Sequence, residues 1–321
     1  MDFHLQTSEK FACIAFENLA IDGSLSKPVS LGEGLWTLPE HPFDLDNRWR
    51  EWIGKIRADQ VDRCNFFLLA VKASTRPDIL DDENELLRKQ LNRLLYGLLL
   101  QGIPDHVDGF VLAGARVSEE TMIRQFSELR EFYNSNPSHR VKVNESTCMT
   151  AKIFEEGYKA IESSTAYERV KRGMSALARA ISEPTVQERI HEYARALEAL
   201  VKPEIGKSTA QFAHRCQTFA LAGTMANQIL EECYKIRSAV EHMNLVDDAL
   251  TDYSSDKRQL IAPQRLRQIE GLAFSVYLKL ATSQSHVRLF ETDTLIDAYW
   301  SRRDDERRTA WGSPIDITAI T

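Results

Sequence analysis

Strand-like apolar runs are confined to the first 150 residues of this chain; beyond about Glu162 apolar residues recur at helical spacing instead. That division constrains the fold more than any composition figure. A short unbroken apolar run belongs to a buried strand, and a 3-4-3-4 spacing belongs to a helix buried along one side. In the first part, residues 11–21 (FACIAFENLAI) are β-prone and end at Asp22-Gly23, a turn pair. Residues 28–38 predict an irregular strand broken by Gly32 and Gly34, in which the glycine pair serves loop geometry. Residues 45–56 predict a helix, with Trp49, Trp52, Ile53 and Ile56 at its spacing. Residues 65–74 (NFFLLAVKAS) predict a buried strand. Residues 81–100 predict a helix with an acidic first turn, ended by Gly102 and Pro104. Residues 108–117 predict another buried strand, and Ser118-Glu-Glu is expected to open a helix to about Tyr133.

The turn-rich stretch 134–138 breaks the pattern and places a boundary between there and about Glu162. Helical patterns then cover 167–181, 185–201, 208–221, 227–250, 263–281 and 293–310, separated or opened by Pro184, residues 203–206, Gly223 and Pro263. At roughly 100–200 residues per domain, 321 residues predict two domains. The expected class is α+β with two domains: a mixed α/β domain over 1–150 and an all-α bundle over 151–321. With 43% hydrophobic residues, each can bury a core.

Several function classes lack their residues. There is no phosphate-binding G-x-x-x-x-G-K-[ST] loop, no G-x-G-x-x-G after a strand, no H-E-x-x-H, no G-x-S-x-G and no close Cys/His spacing. Five scattered cysteines without a C-x-x-C pair predict buried free thiols in a reducing compartment. Asp81-Asp82-Glu83 with Glu85 could take Mg²⁺, but acidic residues in a first helical turn answer the helix dipole equally well. The run 302–308 has mixed signs and predicts a solvated helix face. His4, His41, His106, His139 and His286 are expected on the surface or in loops. A polar start and the absence of a long apolar run predict a soluble, cytoplasmic protein with no membrane partner. Net charge is −7, with 17 basic against 23 acidic residues in 1–150 and 23 against 24 beyond. A nucleic acid would therefore meet a local patch in the second part rather than a global basic field.

The segment 228–250 is the most informative. Ile229, Cys233, Ile236, Val240 and Met243 form an apolar seam, and beside it stand Arg237 and His242. Arg237-Ser-Ala-Val-Glu-His242 resembles the R-x4-H motif of HEPN domains, and Tyr234-Lys-Ile-Arg-Ser, which leads into it, resembles the Apea-like branch of that family. Tyr193-Ala-Arg-Ala-Leu-Glu-Ala-Leu200 is similar to that branch's A-L-E-A-L helix, and His214-Arg215-Cys216 falls where it carries an arginine-bearing helix. The resemblance spans roughly residues 160–285, and residues 1–150 carry none.

The resemblance implies a metal-independent, cofactor-free endoribonuclease, in a stress or antiphage setting, that acts on RNA as a homodimer through the motif helix. His242 would be the general acid/base and Arg237 the phosphate clamp, leaving a 2′,3′-cyclic phosphate and a 5′-hydroxyl. The chemistry suits RNA, whose own 2′-hydroxyl is the nucleophile. Ser238 would orient the pair, Tyr234 line the cleft and Arg215 add a phosphate contact. The N-terminal domain would then sense a protein or ligand trigger. Five residues at about 100° each place Arg237 and His242 about 140° apart on a straight helix, so their convergence calls for a bulge or a partner protomer. Other readings stay open: Arg237 with Glu241 and Ser238 with His242 as i, i+4 pairs, Arg215 as a buried partner of Glu198, and Tyr234 as core. The alternative function is a non-catalytic dimerisation or RNA-binding adaptor.

Overall fold

The computed structural model describes residues 3–43, 46–102, 108–135, 142–204 and 206–321. The chain divides into two compact units, Met1–Glu131 with Val141–Glu155, and Phe132–Arg140 with Glu156–Thr321. The first runs β1 (Glu9–Glu17), β2 (Val29–Gly32), β3 (Leu35–Leu38), α1 (Asn47–Ile53), α2 (Lys55–Asp62), β4 (Cys64–Ala73), α3 (Asp82–Leu99), β5 (Gly109–Val117) and β6 (Glu120–Glu128). Helix α4 (Glu145–Ser163) follows, and its residues to Glu155 belong to this unit.

The strands form one antiparallel sheet in the order β2-β3-β4-β1-β5-β6. Strand β1 is apolar from Phe11 to Phe16 because both faces of the sheet are covered, and these six residues are wholly buried. Phe11, Cys13 and Ala15 join Phe67, Leu69, Phe110 and Leu112 in a core with Ile53, Ala58 and Val61 of α1 and α2. The alternate residues face α3, which lies against β1, β4 and β5. There the buried ammonium of Lys10 reaches Asp81 Oδ1 at 2.7 Å and Glu83 Oε2 at 3.2 Å, at the start of α3.

Where the structure departs from the sequence-based expectation, a local cause is visible. The irregular strand at 28–38 is the hairpin β2–β3, turned by Glu33 (φ 49°) and Gly34 (φ 73°), the positive pair that a tight two-residue hairpin demands. The helix expected over 45–56 breaks at Gly54 (φ 86°) into α1 and α2, and Trp52 and Ile56 stand exposed; its expected start at Leu45 lies outside the described residues. The helix expected after Ser118 is strand β6: Ser118 (φ 54°) and Glu119 make a two-residue turn, and eight of the next nine residues pair with β5, with a bulge at Arg124. Helix α4 was hidden by charge. Lys152 and Glu155 lie among its buried Cys148, Ala151 and Phe154 and pair with each other at 3.0 Å, so the buried face does not read as apolar. Pro104, His106 and His139 lie outside the described residues.

The second unit is helical: the rest of α4, then α5 (Glu168–Ile181), α6 (Val186–Val201), α7 (Ser208–Cys216), α8 (Thr224–Glu241), α9 (Val246–Ala249), α10 (Ser255–Thr282), α11 (Gln284–Val287), α12 (Asp293–Trp300) and α13 (Asp304–Trp311). Helix α6 is central, packed against α5, α8 and α10, with Tyr193, Ala194, Ala196, Leu197 and Leu200 fully buried. Gly173 of α5 permits a close approach, because a Cβ there would lie 1.7 Å from the hydroxyl of Tyr277. Pro263 does not open α10 but sits inside it; the helix continues past the lost main-chain bond because Leu266, Ile269 and Leu272 beyond it are held in the core. Arg307, expected on a solvated face, is buried and donates to the carbonyls of Trp300 and Arg302. No helix among the described residues is long and apolar enough to cross a membrane.

Candidate functional site

The expected 24-residue motif helix ends early. Helix α8 stops at Glu241; His242 caps it, and Met243 turns into the left-handed region at φ 55°. The amides of Asn244 and Met243 donate back to the carbonyls of Ala239 (2.8 Å) and Val240 (3.0 Å), the paired bonds of a Schellman ending. Ile229, Cys233 and Ile236 of the expected seam are buried, but Met243 is 96% exposed and belongs to no seam.

This ending presents His242 to solvent. Its amide donates to the carbonyl of Ser238 at 3.1 Å, and among the described residues its ring has no hydrogen-bond or ionic partner. The i, i+4 relation of Ser238 and His242 is thus a main-chain bond rather than a side-chain pair. Helix α8 is α-helical without a bulge from Thr224 to Glu241, and His242 itself keeps near-helical angles (φ −98°, ψ 10°). The offset between Arg237 and His242 is therefore not removed within one chain.

Arg237 lies deeper, its side chain 18% exposed. Its Nη2 donates to Glu198 Oε2 at 2.9 Å, and Tyr234 donates its hydroxyl to the other oxygen of the same carboxylate at 3.0 Å. The guanidinium also lies over the Tyr234 ring, 5.4 Å from its centre, and Glu241 Oε2 stands 3.9 Å from Nη2. The i, i+4 contact is thus the longer of the two ion pairs. Burial first, and then the Glu198 carboxylate, push the Tyr234 phenol above its ordinary range. Among the described residues the Nε of Arg237 has no hydrogen-bond partner, a trait shared with Arg88, Arg189, Arg267 and Arg307 that therefore does not single out this site.

Glu198 does not pair with Arg215. Arg215 donates from Nη1 to the carbonyls of Val201 (2.6 Å) and Lys202 (2.5 Å), closing the C-terminus of α6, and lies 5.5 Å from the ring centre of Trp300. His214 beside it meets Asp304 at 3.0 Å. Two residues of α6 complete the cluster: His191, which the sequence does not single out, and Glu198, which it offers as a partner of Arg215. His191 of α6 is buried, its Nδ1 3.3 Å from the carbonyl of Arg237 and its Nε2 3.5 Å from Glu241. Glu198, the one charge inside A-L-E-A-L, carried a signal: an acid in an apolar run must answer something on the facing helix.

The other candidates resolve differently. Asp81 caps α3 by accepting from the Glu83 amide at 2.9 Å, and both carboxylates serve Lys10. Hydrogen bonds from Ser74, Lys72 and Lys10 hold Glu83 down at about 2. Among the described residues no group of three His, Cys, Asp or Glu side chains is arranged for a metal ion. His286 is engaged by Ser283 and by the carbonyl of Trp311. A cleft of about 670 Å³ in the first unit is lined by His4, Lys27, His41 and Arg116 among others, and one of about 370 Å³ in the second lies where α5 and α12 begin. Arg237 and His242 line neither. Compared with protein-family models, curated proteins and solved structures, the chain finds no match in any of the three.

Proposed function

We propose that the second unit is a metal-independent endoribonuclease of HEPN type, with His242 as general acid/base and Arg237 as phosphate clamp. The observation that carries this reading is the end of α8: an exposed imidazole, without a side-chain partner among the described residues, stands five residues after an arginine at the rim of the helical core. A histidine titrates near neutral pH and can move the proton of a 2′-hydroxyl, while a guanidinium keeps its charge for the phosphate. Since α8 has no bulge to bring the two together, the reading requires a second copy whose motif helix supplies the complementary residue across a shared cleft. The first unit would regulate the nuclease, and its 670 Å³ cleft suits a small-ligand trigger. A stress or antiphage setting belongs to the same proposal.

A second reading, a non-catalytic dimerisation or RNA-binding adaptor, is favoured by the Arg237–Glu198 ion pair, which ties up the proposed clamp. Incubating the purified protein with single-stranded RNA and tRNA in EDTA, beside His242→Ala and Arg237→Ala, separates the two. The nuclease reading expects cleavage that survives chelation and disappears in both variants. RNA bound but left intact by the wild type favours the adaptor, and cleavage persisting in His242→Ala overturns the mechanism.

A further inference from the structure

A carboxylate and a phosphodiester ask the same thing of a guanidinium: N–H donors aimed at a pair of anionic oxygens. On Arg237 that place is taken by Glu198, whose second oxygen is held by the Tyr234 hydroxyl. Glu241 stands beside the same Nη2, so two carboxylates face one guanidinium, and an incoming phosphate would meet net negative charge. The pair lies at the rim, with Glu198 24% exposed, so it can open without disturbing the buried Leu197 and Leu200 on the same helix. We infer that Glu198 is a built-in competitor for the phosphate position on Arg237, which holds the site closed until an RNA backbone phosphate displaces it. This rests on Arg237 being the phosphate clamp proposed above. It turns the ion pair that favours an adaptor into the resting state of an RNA site.

Glu198→Gln tests it, because the amide keeps an acceptor for Tyr234 and removes the charge. The full-length protein, wild type and variant, is titrated against a fluorescent single-stranded RNA, with cleavage followed in EDTA. The expected result is RNA binding tighter by about tenfold or more for Glu198→Gln, the effect of removing one like charge beside a bound phosphate. The gain should vanish when Arg237→Ala is added. If wild-type protein binds RNA through Arg237 but Glu198→Gln binds equally or more weakly, the competitor is overturned and the clamp stands. If neither protein binds or cuts RNA, the clamp itself fails and the inference with it. Should Glu198→Gln lose its fold by circular dichroism, Glu198→Asp draws the carboxylate back by one methylene. A smaller gain in the same direction is then expected, and no gain overturns the proposal.

Discussion

Met243 holds a left-handed conformation, 96% exposed, at the one position of α8's ending where a glycine is favoured. A side chain there costs about 1–2 kcal/mol that glycine avoids, against the larger entropy glycine loses on folding. Met243→Gly should therefore stabilise the protein by up to about 1 kcal/mol, read as a raised urea midpoint with an unchanged slope. Glu83 makes the opposite kind of contribution. Its carboxyl is lowered from the ordinary 4.5 to about 2, so the folded state binds fewer protons than the unfolded one between those values. The stability it adds is present above pH 4.5 and is lost as pH falls through about 2. Melting temperature against pH should fall over that window, and Glu83→Gln should flatten that part of the profile. At this scale the sequence was legible in part: it offered Arg237 and His242 through a family resemblance rather than by spacing, and Glu241 and Glu198 as acids able to meet an arginine. The pairing of Glu198 was not legible, because nothing in a linear pattern says that it meets Arg237 thirty-nine residues away while Arg215 turns to the end of α6.

Among the elements, those whose information is local were readable. Strand β1 declares itself by six apolar residues in a row, and α3 by its acidic first turn. Strand β6 owes its form to the partner β5, and α4 buries a Lys–Glu pair where a pattern search expects apolar residues. Helix α8 ends short of what its spacing predicts, since one positive φ at a non-glycine residue leaves no mark in the sequence. Helix packing makes a sharper prediction. Gly173→Ala would drive a Cβ to 1.7 Å from the Tyr277 hydroxyl, which donates to the Ala196 carbonyl at 2.6 Å. Overpacking together with a strained buried hydrogen bond should cost about 3 kcal/mol, measured by urea unfolding. Gly206→Ala, at a glycine with nothing within 4 Å but a φ of 85°, should cost about 1 kcal/mol from backbone strain alone.

Across the whole molecule the five thiols are natural reporters. Cys13, Cys64 and Cys148 lie in the first unit and Cys216 and Cys233 in the second, all buried and free. Burial pushes the Cys64, Cys148 and Cys233 thiols up to about 12, and raises Cys13 and Cys216 as well. A thiol reagent at pH 8 should leave the native protein unmodified over the time in which it titrates all five in guanidinium, and labelling at intermediate denaturant should report which unit opens first. The division into a sheet-bearing and a helical part was visible in the change of hydrophobic period, since such patterns depend on neighbours along the chain. The order of the strands was not, because antiparallel strands far apart in sequence carry no mark of who lies beside whom. Strand β1 shows how the chain guards that arrangement. With Phe11 to Phe16 apolar on both sides, hydrophobicity alone would accept β1 shifted by a single residue between its two neighbours. Lys10 does not accept it: the shift would swing its ammonium away from Asp81 and Glu83 and into the layer of Phe43, Phe67 and Phe110. One buried cation thus rejects the misaligned sheets that an all-apolar strand would tolerate.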